Sequence, residues 1–358
     1  MRSRRVNKIL VIGALTLCVL LPSLFALALD GYGTYASAMG GAGLALPLAP
    51  DSFFANPALL GSERTKTRSL IATTGFGDEL ASYGKHFRFE YPQADGSITF
   101  LAKRLALTIQ SRTIFENYQD FGSYSTYDGL KLTLFELDWA WGLGPLSLGL
   151  RAQAVATSAR GDIQLNADQI LLDYLVQSAI ARYDNVEERA TINFGFGLLL
   201  DYDWIAIGVV VDQFAYSRGE ESLALDSDSL IKSLGWGLSL SSPTYTADND
   251  LHLFKVQGAL DLVNLGSDEN REIRVGLSAK LQLLPDWSVS FLTGYREVKT
   301  QAGDLIKISP SNGRHSIGLG GELGNAELLL LYEYPTAWYT QSPTAEASTL
   351  SFSLSIQL

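Results

Sequence analysis

Cysteine, histidine and basic charge are all scarce in this 358-residue chain. The single cysteine, Cys18, lies in the apolar part of an N-terminal leader, so a processed chain has no thiol. That excludes a disulfide framework and thiolate chemistry. The three histidines, His86, His252 and His315, stand far apart, and none has metal-ligand spacing with a cysteine, an aspartate or a second histidine. Neither a G-x-S-x-G elbow nor a P-loop occurs. His315 and Ser316 fall in an alternating segment, where adjacent side chains face opposite sides and make a poor base and nucleophile pair. The expectation is a protein that is not an enzyme and uses no cofactor or metal.

Residues 1–28 read as a secretory signal. Arg2, Arg4, Arg5 and Lys8 precede an apolar run from Ile9 to Leu21, and Ala26-Leu27-Ala28 forms an A-x-A cleavage site. Lipid modification of Cys18 is disfavoured by the bulky Leu17 before it. Four of the 27 basic residues lie in this leader; the other 23, set against 38 acidic residues, leave a charge of −15. A nucleic-acid partner needs the opposite sign. Beyond the leader no apolar run is long enough for a transmembrane helix, yet 47% of the chain is hydrophobic and 33 residues are glycine. This combination fits an exported β protein.

What is present is alternation. At the C-terminus Leu350, Phe352, Leu354, Ile356 and Leu358 share one face, and Ser351, Ser353, Ser355 and Gln357 the other. The pattern recurs in Leu146–Ala154, Ile192–Leu200 and Arg271–Leu283; around Leu130–Trp141 it slips near Leu134-Phe135, which reads as a bulge. Trp139, Trp141, Trp204, Trp287 and Tyr334 sit near run ends, as in an interfacial girdle. Short connections such as Gly142–Pro145 and Leu323–Asn325 alternate with long polar ones such as Phe115–Asp128 and Arg160–Glu188. The predicted fold is all-β: an antiparallel outer-membrane barrel of about 14 strands.

Ahead of the strands lies Ala36–Leu60, ASAMGGAGLALPLAPDSFFANPALL, in which Asp51 is the only charge. Gly40, Gly41 and Gly43 allow tight backbone turns, and Asn56-Pro57 fixes a bend. The segment reads as a plug, which divides the chain into leader 1–28, plug 29–66 and barrel 67–358.

The order of leader, MGGAG, NPALL and terminal barrel resembles the FadL family of outer-membrane transporters for long-chain fatty acids and other hydrophobic compounds. The motif likeness is confined to Ala36–Leu60. The resemblance implies that the segment is a hatch inside the lumen, with Asn56, Pro57 and Ala58 at its contact with the wall. It also implies loop elements that take up ligand, and sideways exit through a kinked strand. Ala167–Tyr183 has helical periodicity, with Ile170, Leu171, Tyr174, Leu175 and Ile180 on one face, and is the candidate for ligand contact. A weaker version in the next long loop comprises Leu223, Leu225, Leu230 and Ile231. Near Leu105–Arg112 the third strand lacks a glycine kink, so the sequence does not support sideways exit.

If the apolar faces meet lipid, Arg112, Lys131, Arg151, Lys255, Arg274, Lys280 and Arg296 face the lumen. Arg274, Lys280 and Arg296 come from adjacent strands and are the candidate patch for a carboxylate headgroup; the bland alternative is pairing with Glu136, Asp138, Asp261 or the hatch. The implied partners are hydrophobic small molecules, outer-membrane lipid and the barrel assembly machinery, which reads the last strand. Two other functions fit the pattern: a scaffold or shuttle partner of a secretion system, and an adhesin using Arg160-Gly161-Asp162.

Overall fold

The computed structural model describes residues 34–47, 51–64, 69–78, 93–120, 124–166, 191–218, 224–225, 227–243, 245–246, 252–267, 271–299, 313–335 and 348–357. The leader and the Ala167–Tyr183 segment lie outside them, as do the side chains of Arg112, Lys131 and Arg160–Asp162.

Fourteen long strands follow a short N-terminal helix, α1 (Thr34–Ala38), and two 3-10 turns, Ser52–Phe54 and Pro57–Gly61. In chain order they are β1 (Ser69–Asp78), β2 (Gln93–Ala102), β3 (Leu105–Asp120), β4 (Tyr124–Leu143), β5 (Leu146–Asn166), β6 (Thr191–Asp201) and β7 (Ile205–Arg218). The second half comprises β8 (Leu234–Ser241), β9 (His252–Val263), β10 (Arg271–Leu284), β11 (Trp287–Lys299), β12 (Arg314–Leu323), β13 (Ala326–Pro335) and β14 (Ser348–Gln357). Two-residue strands at Ala224–Leu225 and Tyr245–Thr246 pair antiparallel with β7 and β9, and a second helix, α2, covers Ser227–Lys232. Each long strand pairs antiparallel with its sequence neighbours, and β1 pairs with β14 from Ser69↔Gln357 to Asp78↔Ser348. The sheet is therefore a closed 14-stranded barrel without a free edge.

Alternation places the two faces. On β4, Phe135, Leu137 and Trp139 are about half exposed, whereas Glu136, Asp138 and Ala140 between them are buried. Ile98, Phe100, Leu107, Phe291, Leu319 and Leu330 continue the outward apolar surface on other strands. The expected bulge at Leu134-Phe135 is absent, because the β3–β4 register is continuous from Leu105↔Trp139 to Glu116↔Asp128. Leu134 shares the face of Glu136, so an inward leucine produced the apparent slip. Two long loops are also shorter than expected: β3 and β4 extend to Asp120 and from Tyr124, and β5 runs to Asn166, through Arg160-Gly161-Asp162. Interstrand hydrogen bonding there outweighs the polar composition that reads as loop.

The interior is filled by the N-terminal segment. Ala38, Met39, Ala42 and Leu46 pack with Ala259, Leu292, Leu329 and Leu331 of the wall. Phe53, Phe54 and Leu60 pack with Ile71, Leu101, Ala106 and Ala140, and Leu59 with Leu199 and Ala206. Every residue from Asp51 to Ser62 is buried.

Candidate functional site

The site is the plugged lumen. Gly40 and Gly41 have φ of 69° and 80°, so the plug turns there through the left-handed region that favours glycine. Gly43 is also required, because a Cβ on it would lie 2.8 Å from Ala36 Cβ. Asn56 caps the second 3-10 turn: its Oδ1 accepts the Ala58 N–H at 3.0 Å, and Pro57 occupies the first position of the turn. Its Nδ2 donates to Leu44 O at 2.9 Å and to Leu198 O of β6 at 3.1 Å. One side chain thus ties the turn to the preceding plug segment and to the wall.

Three cross-strand glycine pairs in the wall accept the plug backbone. Gly149↔Gly197 faces Asn56–Ala58, Gly208↔Gly237 faces Leu44, and Gly276↔Gly294 faces Met39–Gly40. Buried polar groups hold the plug between these contacts. Asp261 of β9 accepts the N–H groups of Gly43 and Leu44 at 2.6 and 2.8 Å. Ser316 of β12 accepts from Gly40 N–H and donates to Ala38 O, both at 2.9 Å. Arg151 of β5 donates to Phe53 O at 2.7 Å and to Asp138 at 2.8 Å, with Glu136 beside it at 3.6 Å. Towards the short-turn end, Ser62 and Arg64 both donate to Asp201. Within the plug, Asp51 accepts the Tyr35 N–H at 2.9 Å, and burial pushes its carboxyl up to about 7.

The basic residues expected to form one patch separate into two levels. Arg274 and Arg296 are register partners on β10 and β11, but Lys280 lies six residues along β10 from Arg274, about 20 Å at strand spacing. Arg314 of β12 takes its place as the register partner of Arg296. The outer level is thus a transverse row of three arginines beside the plug turn at Gly40-Gly41. Arg274 is fully buried, lies against Gly41, and pairs with Glu272 at 2.6 Å. Arg296 lies 3.7 Å from Glu333. Lys280 pairs with Glu322 at the opposite end of the lumen.

Sequence reading missed Arg314, Asp261 as a backbone clamp, Ser316 and the glycine pairs. The glycines had a readable signal: Gly149 and Gly197 fall on the non-apolar face of their runs, where the plug must lie. Arg314 had none, because it borders a long polar loop. His315 and Ser316 do point apart: Ser316 holds the plug, while the His315 ring stacks with Tyr334 at 5.5 Å. Among the described residues, no group of three or more His, Cys, Asp and Glu side chains is placed to hold a metal ion.

No family model matches the sequence, and no curated protein does. Solved structures do match in fold. The CymD monoaromatic hydrocarbon channel is 17% identical with a TM-score of 0.53, over 92% of this chain and 98% of that one. The Ralstonia pickettii toluene transporter TbuX is 13% identical with a TM-score of 0.51, over 91% and 98%. The Pseudomonas putida toluene transporter TodX is 11% identical with a TM-score of 0.50, over 92% and 98%. At these identities the likeness is one of architecture. The chain is a closed 14-stranded β-barrel with the fold of these channels and transporters.

Proposed function

We propose that the protein admits hydrophobic molecules across the outer membrane by diffusion, with long-chain fatty acids as its ligand class and residues 29–66 as the hatch. The observation that carries this reading is an N-terminal segment buried inside the barrel with a row of arginines, Arg274, Arg296 and Arg314, beside its glycine turn. A guanidinium row suits a carboxylate headgroup, since each guanidinium can offer two parallel donors. The neighbours of like fold described as toluene transporters and a monoaromatic hydrocarbon channel support the hydrophobic class. Ile170, Leu171, Tyr174, Leu175 and Ile180 are assigned from sequence periodicity as the first external contact for the apolar chain.

Uptake of labelled oleate into proteoliposomes tests the reading. A rate above that of empty liposomes is expected for the full chain, and a higher one when the plug is unseated. Equal rates for empty, wild-type and plug-deleted liposomes overturn it.

A further inference from the structure

Below the plug, at the short-turn end of the lumen, a second basic group is gathered from three elements. Lys255 of β9 and Lys280 of β10 are register partners on the inward face. Arg64, on the last described stretch of the plug, lies within electrostatic reach of Lys255. Two of the three cations are matched: Lys280 by Glu322, and Arg64 by Asp201. Among the described residues, Lys255 has no carboxylate partner.

One inward position further along β9 is Gln257, 3% exposed, whose Nε2 has no hydrogen-bond partner among the described residues. Its register partners are Ser241 and Ser278, small side chains of which Ser278 is engaged by Tyr35. A buried amide donor without an acceptor destabilises the fold unless something accepts from it. Here it stands beside an ammonium group that also lacks a carboxylate partner among the described residues, and the two are complementary to a single oxyanion.

We propose that Lys255 and Gln257, flanked by Lys280 and Arg64, form an anion site on the inner side of the plug that takes the carboxylate of an amphipathic ligand. The site rests on the transport reading for the origin of its ligand. It makes the route a two-station one: the headgroup passes from the arginine row beside Gly41 to the lysine pair near the short turns. The two stations are separated by about 20 Å along β10, the stretch of wall against which Met39 and Gly40 are seated.

Equilibrium dialysis of the full chain in non-ionic detergent tests this, with radiolabelled laurate as the anion and 1-dodecanol as its neutral counterpart. Wild type is expected to bind laurate at two sites. Lys255→Gln is expected to weaken one of them about tenfold and leave dodecanol binding unchanged. Lys255→Arg, which keeps the charge, is expected to bind laurate more tightly than Lys255→Gln. Heat-modifiable migration checks that each variant retains its barrel. Unchanged laurate binding by Lys255→Gln overturns the site, as does Lys255→Arg binding no better than Lys255→Gln. Wild type that binds dodecanol but not laurate overturns the site and leaves hydrophobic transport standing; wild type that binds neither overturns both.

Discussion

Gly276 and Gly294 are directly opposed on β10 and β11, and together they leave the gap that Met39 and Gly40 occupy. A Cβ on either would meet plug backbone, which unlike a flexible side chain has no alternative rotamer. The wall and plug are thus fitted to each other at main-chain level. Gly294→Val is expected to destabilise by at least the 1–3 kcal/mol typical of overpacking. The loss should fall on the plug, since the residues outside the gap keep their register. Ion conductance in planar bilayers should rise while heat-modifiable migration stays that of a formed barrel. A variant as closed as wild type would show that the glycine pair has no seating role.

Asp51 makes the plug's stability pH-dependent in a direction opposite to that of most carboxylates. Burial is the main cause of its rise to about 7, the Tyr35 N–H opposes it, and Glu327 adds repulsion. In the unfolded chain it titrates near 3.8. Below pH 4 it is protonated in both states and costs nothing. Between pH 4 and 7 only the unfolded state ionises, so stability falls as pH rises, by roughly 4 kcal/mol in all. Asp51→Asn should flatten this segment of the pH profile and match or exceed wild type at pH 8. Urea-unfolding midpoints of the two proteins in lipid vesicles from pH 4 to 8 check it; parallel profiles would exclude the assignment.

The strands were legible because one face is apolar and exposed and the other lines the interior, so the alternation has a period of two. Ser351, Ser353 and Ser355 face inward as the pattern requires, all at most 7% exposed. The burial of residues 36–47 and 51–60 was legible from their lack of charge and their glycines. Their attachment was not, because Asp261, Ser316 and Arg151 lie more than 100 residues from MGGAG in sequence order, on strands whose register no local pattern sets. The basic patch failed for the same reason. Alternation gives the face of Lys280 but not its depth, and six residues along β10 carry it from the plug turn to the short-turn end.

Arg151 shows how strongly the wall and plug are coupled by charge. It lies between Asp138, Glu136 and the more exposed Asp212, and reaches the Phe53 carbonyl. Arg151→Met would leave two buried carboxylates without their cation and one buried carbonyl without its donor. Removing one partner of a buried pair costs about 3–5 kcal/mol. The variant should lose about that much in vesicle unfolding, and Arg151→Met/Asp138→Asn should recover part of the loss. No recovery in the double variant would mean that Arg151 acts through packing alone.

Leu319 and Gly318 test which face of the wall meets lipid. Leu319, 55% exposed near the middle of β12, lies on the outward surface, whereas Gly318 faces Ala38 of the plug. A cation on the lipid face costs about 2–4 kcal/mol at the bilayer midplane and about 0–1 near the interfaces. Leu319→Arg is therefore expected to lower stability in lipid vesicles by about 2–4 kcal/mol, without raising conductance, because it touches no plug residue. Leu323→Arg, at the last residue of the same strand and 70% exposed, should cost less than about 1 kcal/mol. The depth dependence is the discriminating result. A soluble barrel with the same alternation would tolerate both substitutions equally, so equal costs at positions 319 and 323 would refute the membrane orientation of the strand.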